Sequence, residues 1–118
     1  MATILVTDDD AHIREVVRYA LERAGHKVIE AADGTAALKE FEKQPIDLVV
    51  LDIQLDQESG LELLQHIAEK QEDIAVILCT AYSSYKDDFS SWLADGYVVK
   101  SSNLDELKSE VRRILAQK

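Results

Sequence analysis

LVVLDIQL, residues 48–55, starts with four apolar residues suited to the middle of a protein and then sets a carboxylate, Asp52, at the end of that run. An aspartate in such a place is costly unless something pairs with it. What the rest of the chain brings to Asp52 therefore decides the fold and the chemistry together.

Outward from this run, short apolar stretches alternate with amphipathic ones: TILVT before 11–24, HKVIEA before 34–43, DLVVL before 60–70, IAVILCT before 84–94, and YVVK before 104–117. The alternation predicts five βα units. In 11–24, Ile13, Val16, Val17, Ala20, Leu21 and Ala24 recur at the spacing of one helical face, and Gly25 follows as a C-terminal stop. Ser59 with Glu62, and Asn103 with Glu106, are spaced as capping boxes ahead of the third and fifth helices. The fourth helix is weaker, because Ser83, Ser84, Ser90 and Ser91 lower its propensity and only Phe89, Trp92 and Leu93 form an apolar stripe. Phe89 reads as core, and Trp92 either as core or as an anchor for a partner. Pro45 stands before the third strand, where it ends a helix without damaging the sheet.

Short strands joined by helices form a parallel sheet with right-handed crossovers, so every strand ends at the same edge. That edge receives Asp8, Asp9 and Asp10 from the first strand, Asp52 from the third, Thr80 from the fourth and Lys100 from the fifth. The second strand delivers nothing comparable.

Composition narrows the partners. A chain of 118 residues, 47% hydrophobic, suits one core, and a single domain over 1–118 is expected. Thirteen Lys and Arg against 23 Asp and Glu give a net charge of -10, which repels nucleic-acid phosphates and anionic membrane surfaces. Cys79 is the single cysteine, lies in an apolar run and reads as a small core residue, as suits a reducing cytoplasm. The N-terminus has no basic segment leading into a long apolar stretch, and no run reaches membrane-spanning length, so a soluble cytoplasmic protein is expected. His12, His26 and His66 are scattered and read as surface residues.

If Asp8, Asp9 and Asp52 share one crevice at roughly 5 Å, each pair repels by about 3 kcal/mol at an effective dielectric near 20. Such a site needs a cation. All-oxygen ligands point to a hard divalent ion, and Mg2+ suits a few carboxylates that leave positions for water and a phosphate oxygen. With the charge neutralised, one carboxylate can act as nucleophile toward a phosphoryl donor. A hydroxyl from Thr80 and an ammonium from Lys100 can bind the remaining phosphoryl oxygens.

The acidic cluster TDDD, the run LVVLD with Gly60 eight residues on, LCTA and YVVK, in this order and each at a strand end, resemble the CheY-like receiver domain of two-component response regulators. The likeness spans Thr3 to about Leu115. It implies an α/β fold, a doubly wound five-stranded parallel sheet of flavodoxin-like (βα)5 type in strand order 2-1-3-4-5. It implies that Asp52 is the phosphoacceptor, that Asp9 ligates Mg2+ directly and Asp8 through water, and that the Gln54 backbone carbonyl is a further ligand. The spacing to Ile13 and Arg14 in AHIRE matches Asp8 and Asp9 to the family's acidic pair and leaves Asp10 as a helix cap. By the same resemblance Thr80 is the switch hydroxyl, Ala81 the small residue giving access to the phosphoryl group, Lys100 the phosphate-binding lysine and Tyr97 the aromatic that changes rotamer. Gln54 and Tyr82 tune hydrolysis. The implied partners are a sensor histidine kinase or phosphotransfer protein and a downstream protein target. The switching surface is formed by helix 4, strand 5 and helix 5 (84–94, YVVK and 104–117), through which a homodimer can also form.

Two positions depart from the family. Asp56 in DIQLD and Ser101 in VVKSS stand where prolines are common, and a non-proline cis bond costs about 3 kcal/mol, so a trans Lys100–Ser101 bond is expected. Two other readings fit parts of the pattern. One is a pseudo-receiver that keeps the fold as an interaction module without phosphorylation. The other is a small Mg2+-dependent phosphohydrolase using Asp8-x-Asp10. On the receiver reading the chain promotes its own phosphorylation and dephosphorylation and turns over no independent substrate.

Overall fold

In a computed structural model of the chain, the described residues are 2–52, 54–55, 58–70, 74–80, 94–99 and 104–117. They form β1 (Thr3–Thr7), α1 (Ala11–Arg23), β2 (Lys27–Ala31), α2 (Gly34–Lys43), β3 (Leu48–Leu51), β4 (Gln54–Leu55), β5 (Glu58–Ser59), α3 (Gly60–Lys70), β6 (Ala75–Thr80), β7 (Gly96–Val99) and α4 (Asp105–Ala116). Five strands make one sheet in the order β2-β1-β3-β6-β7, every pair parallel. Counting only those five in chain order, this is 2-1-3-4-5, the doubly wound order expected.

The strands are short and apolar because both faces of the sheet are covered. Alternate residues serve two core layers. Ile4, Val6, Leu48, Val50 and Ile77 pack with Val17 and Leu21 of α1 and with Leu107, Val111 and Ile114 of α4. Leu5, Val49, Leu51, Val76 and Leu78 pack on the other side with Ala37 of α2 and with Leu63 and Ile67 of α3. Cys79 is buried in the first layer, as its apolar context predicts. Among the described residues no helix is long and apolar enough to cross a membrane.

Helix ends follow local chemistry. Asp10 caps α1, and at its other end Gly25 takes φ 98°, a conformation other residues adopt only with strain. Asp33 caps α2 by accepting from the Ala36 N–H at 2.8 Å. The capping residue of α4 is Leu104, which makes no side-chain cap bond, so the helix starts one residue later than predicted. Leu104 is drawn against the first core layer, and Asp105 and Glu106 in the first turn complement the helix dipole instead. The Ser59–Glu62 side chains, Asn103, Phe89 and Trp92 lie outside what is described.

Three further features differ from or go beyond the sequence pattern. Of the apolar face of α1, only Val17 and Leu21 are fully buried; Val16 is 41% exposed and Ala24 is exposed, because the sheet covers a narrower stripe than the spacing offers. The short antiparallel pair β4–β5 between Asp52 and α3 was not foreseen, since two-residue strands leave no periodic signal. His26 is half-buried, not on the surface. Its Nδ1 accepts from the Ala2 N–H at 3.2 Å, and burial lowers its pKa below the ordinary value.

Thr7, the last residue of β1, is 1% exposed, and its hydroxyl has no hydrogen-bond partner among the described residues. It shares a face with Leu5 and is flanked by Ala31 and Leu51, all members of the second core layer. A buried hydroxyl without a partner costs about 1–3 kcal/mol, and valine has nearly the same shape. Thr7→Val is therefore expected to stabilise the protein by about 1 kcal/mol, read as a higher urea midpoint at unchanged slope. A lower midpoint would mean that the hydroxyl is used.

Candidate metal centre

The turns after β1 and β3 bring Asp8, Asp9 and Asp52 together, one carboxylate oxygen of each lying within 4.8 Å of the others. The strand period accounts for two of the three. Ile4 and Val6 face the first core layer, as do Leu48 and Val50. The next residues of that parity, Asp8 and Asp52, follow on adjacent central strands. Asp8 is 4% and Asp52 6% exposed, whereas Asp9 is open to solvent.

Both buried aspartates are fixed through the main chain. The Asp52 N–H donates to the Thr7 carbonyl at 3.1 Å and the Asp8 N–H to the Ala31 carbonyl at 3.2 Å. Asp8 Oδ1 accepts from the Asp10 N–H at 2.9 Å. Asp10 turns away to cap α1, its Oδ1 accepting from the N–H groups of His12 and Ile13. The three consecutive acids thus divide as expected, two in the cluster and one on the helix.

A set of charged residues that the sequence reading missed stands behind Asp8. Arg14 of α1 donates from Nη1 to the Asp8 carbonyl at 2.6 Å and from Nε to Glu30 Oε1 at 3.3 Å. Arg18, one turn on, donates from Nη1 to Glu30 Oε2 at 2.7 Å. Glu30 belongs to β2, so the second strand does serve the site, indirectly. The signal available was two arginines four apart on one helix and an acid on a strand, which has meaning only once α1 is known to pack beside β2.

The buried carboxylates of Asp8 and Asp52 repel each other by about 3 kcal/mol at an effective dielectric near 20, and exposed Asp9 adds a weaker, solvent-screened repulsion. The donor set is oxygen only. Three carboxylates converging at the sheet rim, with one of them open to solvent, are a donor set that Mg2+ takes while keeping positions for water and a phosphate oxygen. Gln54 lies two residues beyond Asp52, in β4. Thr80 ends β6 beside Val99 at the same edge of the sheet. Tyr97 is half-buried and packs against the second core layer. The side chains of Gln54 and Thr80, and all of Lys100, Ala81, Tyr82, Asp56 and Ser101, lie outside the described residues.

The family model of the response regulator receiver domain matches residues 4–112. A probable transcriptional regulator, ycf27, of Porphyridium aerugineum is 37% identical over 114 residues, covering 95% of this chain and 47% of that protein. This chain spans about half the length of the curated relatives it matches. Among solved structures, the response regulator protein TrrA of Thermotoga maritima, in complex with Mg2+-BeF, is 47% identical with a TM-score of 0.92, covering 97% of this chain and 99% of that one. A chain from the complex of histidine kinase ThkA with TrrA is 48% identical with a TM-score of 0.91, covering 98% of this chain and 99% of its own. A five-stranded parallel sheet in the order 2-1-3-4-5, an acidic trio at its rim and a family match over most of its length make this chain a member of the response regulator receiver domain family.

Proposed function

We propose that the chain is a phosphoacceptor: it takes a phosphoryl group from a histidine kinase or a small phosphodonor onto Asp52, with Mg2+ held by Asp8, Asp9, Asp52 and the Gln54 carbonyl. The convergence of the three carboxylates within 4.8 Å is the observation that supports this most directly. When bound, Mg2+ supplies positive charge that offsets the cluster and favours the charge that develops on the transferred group. The residues do the rest. Asp52, fixed by its N–H to Thr7, presents a carboxylate oxygen to the donor phosphorus. The new bond joins that oxygen to phosphorus, the bond from phosphorus to the donor atom breaks, and the donor leaves with its electron pair. Thr80 and Lys100 hold the remaining phosphoryl oxygens, Ala81 leaves access, and Gln54 and Tyr82 govern water attack on the acyl phosphate.

The proposed output is a population shift: Thr80 draws toward the phosphoryl group, Tyr97 follows, and the surface of 84–94, β7 and α4 changes its affinity for a downstream protein or a second copy. Two features support a kinase as donor: the ThkA complex of the 48% identical TrrA and the family itself. A single receiver domain over 1–118, working in the cytoplasm, completes the reading. The test is incubation with acetyl phosphate and Mg2+. A mass gain of one phosphoryl group, lost in Asp52→Ala and on chelation, is expected; no gain in the wild type would leave the pseudo-receiver reading in its place.

A further inference from the structure

We propose that Arg14 is a positioning residue for the metal centre, setting the Asp8–Asp9 peptide by holding the Asp8 carbonyl, and is itself held by Glu30, whose other oxygen binds Arg18; the proposal rests on the receiver chemistry above. Asp8 is tied at three points. Its N–H is bonded to Ala31 and its carboxylate to the Asp10 N–H, which fixes the strand end and the side chain. Its carbonyl is bonded to Arg14 Nη1 at 2.6 Å. The peptide is planar, so holding that oxygen also fixes the direction in which Asp9 leaves the strand. Arg14 thereby orients Asp9 through the peptide that joins it to Asp8.

The clamp is built for precision. The Arg14 side chain is 16% exposed and that of Glu30 26%, so the pair is partly withdrawn from solvent. Glu30 uses both oxygens, Oε1 for Arg14 and Oε2 for Arg18. A planar fork can reach the Asp8 carbonyl and the Glu30 carboxylate together, which a lysine ammonium on a flexible stem does less well.

Charge alone gives the opposite expectation, and that makes the proposal decidable. A guanidinium beside a cation site repels the cation, so an Arg14 acting only through its charge would tighten Mg2+ binding when removed. A positioning Arg14 weakens it. The experiment is calorimetric titration of the unphosphorylated chain with Mg2+ alone. Arg14→Ala is expected to raise the dissociation constant about 10-fold, at the lower end for groups that orient metal ligands. Arg14→Lys, which keeps the charge, should fall between Arg14→Ala and the wild type. Arg18→Ala should have the smallest effect, because Glu30 still reaches Arg14. An unchanged or lower constant in Arg14→Ala overturns the proposal. If circular dichroism shows Arg14→Ala unfolded, Arg14→Lys decides alone, and wild-type affinity overturns it. Asp9→Ala separates the two levels: if the wild type binds Mg2+ and Asp9→Ala does not, the metal site stands whatever Arg14 does. If the wild type shows no Mg2+ binding, both proposals fall.

Discussion

Magnesium at one hundred times its dissociation constant is expected to raise the thermal unfolding midpoint of this chain by about 10 °C. Binding to the native state alone adds roughly 2.7 kcal/mol at that ratio, and each kcal/mol moves the midpoint of a domain of this size by about 4 °C or more. The unfolded chain has no equivalent site, because Asp52 meets Asp8 and Asp9 only through the pairing of β1 with β3. Asp9→Ala should remove most of the shift. Asp9 is exposed, so truncating it opens no cavity in the core. Without metal, Asp9→Ala should melt above the wild type, since one of three mutually repelling carboxylates is gone. Calorimetric scans with Mg2+ and with a chelator measure both effects. A shift below about 1 °C at saturating metal, or one that survives Asp9→Ala, would remove the metal from the proposed mechanism.

Much of this site could be read from the sequence because it depends on period and order alone. A strand alternates its faces, so Asp8 and Asp52 inherit their direction from Val6 and Val50, and parallel crossovers place their strand ends at one edge. The elements with strong periodicity appear where the pattern put them, with 34–43 and 60–70 reproduced in full. What was not legible needed a neighbour the local pattern does not name. The order of the strands came from the family likeness, since nothing in TILVT or HKVIEA says which strands flank β1. Val16 carries the spacing of a core residue yet is 41% exposed, because burial depends on how much of α1 the sheet covers. Glu30 looked inert on β2, and becomes part of the site only through Arg14 and Arg18 on another element. The cap of α4 falls on Leu104 because tertiary burial outweighs the local preference for a polar cap.

The acidic trio is a local conflict with stability. Two of its members are buried at the ends of strands whose other residues are apolar. A sequence selected for stability alone would not place them there, and such violations are expected where function demands them. The clamp on Asp8 fits this view. An arginine and a glutamate are partly buried to hold one carbonyl, and the energy so gained goes into the orientation of Asp8 and Asp9.

Asp52→Asn should separate the two demands in one molecule. Asparagine has nearly the same shape but no anionic oxygen to attack phosphorus, so phosphoryl uptake from acetyl phosphate should fall by on the order of 1,000-fold or more, to background. In chelator the same variant should be more stable than the wild type by about 1 kcal/mol. The repulsion between the buried Asp8 and Asp52 carboxylates, about 3 kcal/mol at an effective dielectric near 20, disappears, and part of that gain is offset because a neutral amide makes weaker polar interactions than a carboxylate. Intact-mass measurement and urea unfolding without metal provide the two readings. Thr7→Val is the matching control: it removes a buried polar group one residue from the site, so it should stabilise while leaving phosphorylation unchanged. If Asp52→Asn lost phosphorylation but also unfolded more easily in chelator, the carboxylate would be a structural group whose bonds outweigh its repulsions. A gain in stability together with a loss of phosphoryl uptake is the pair of signs that only a carboxylate kept for its chemistry produces.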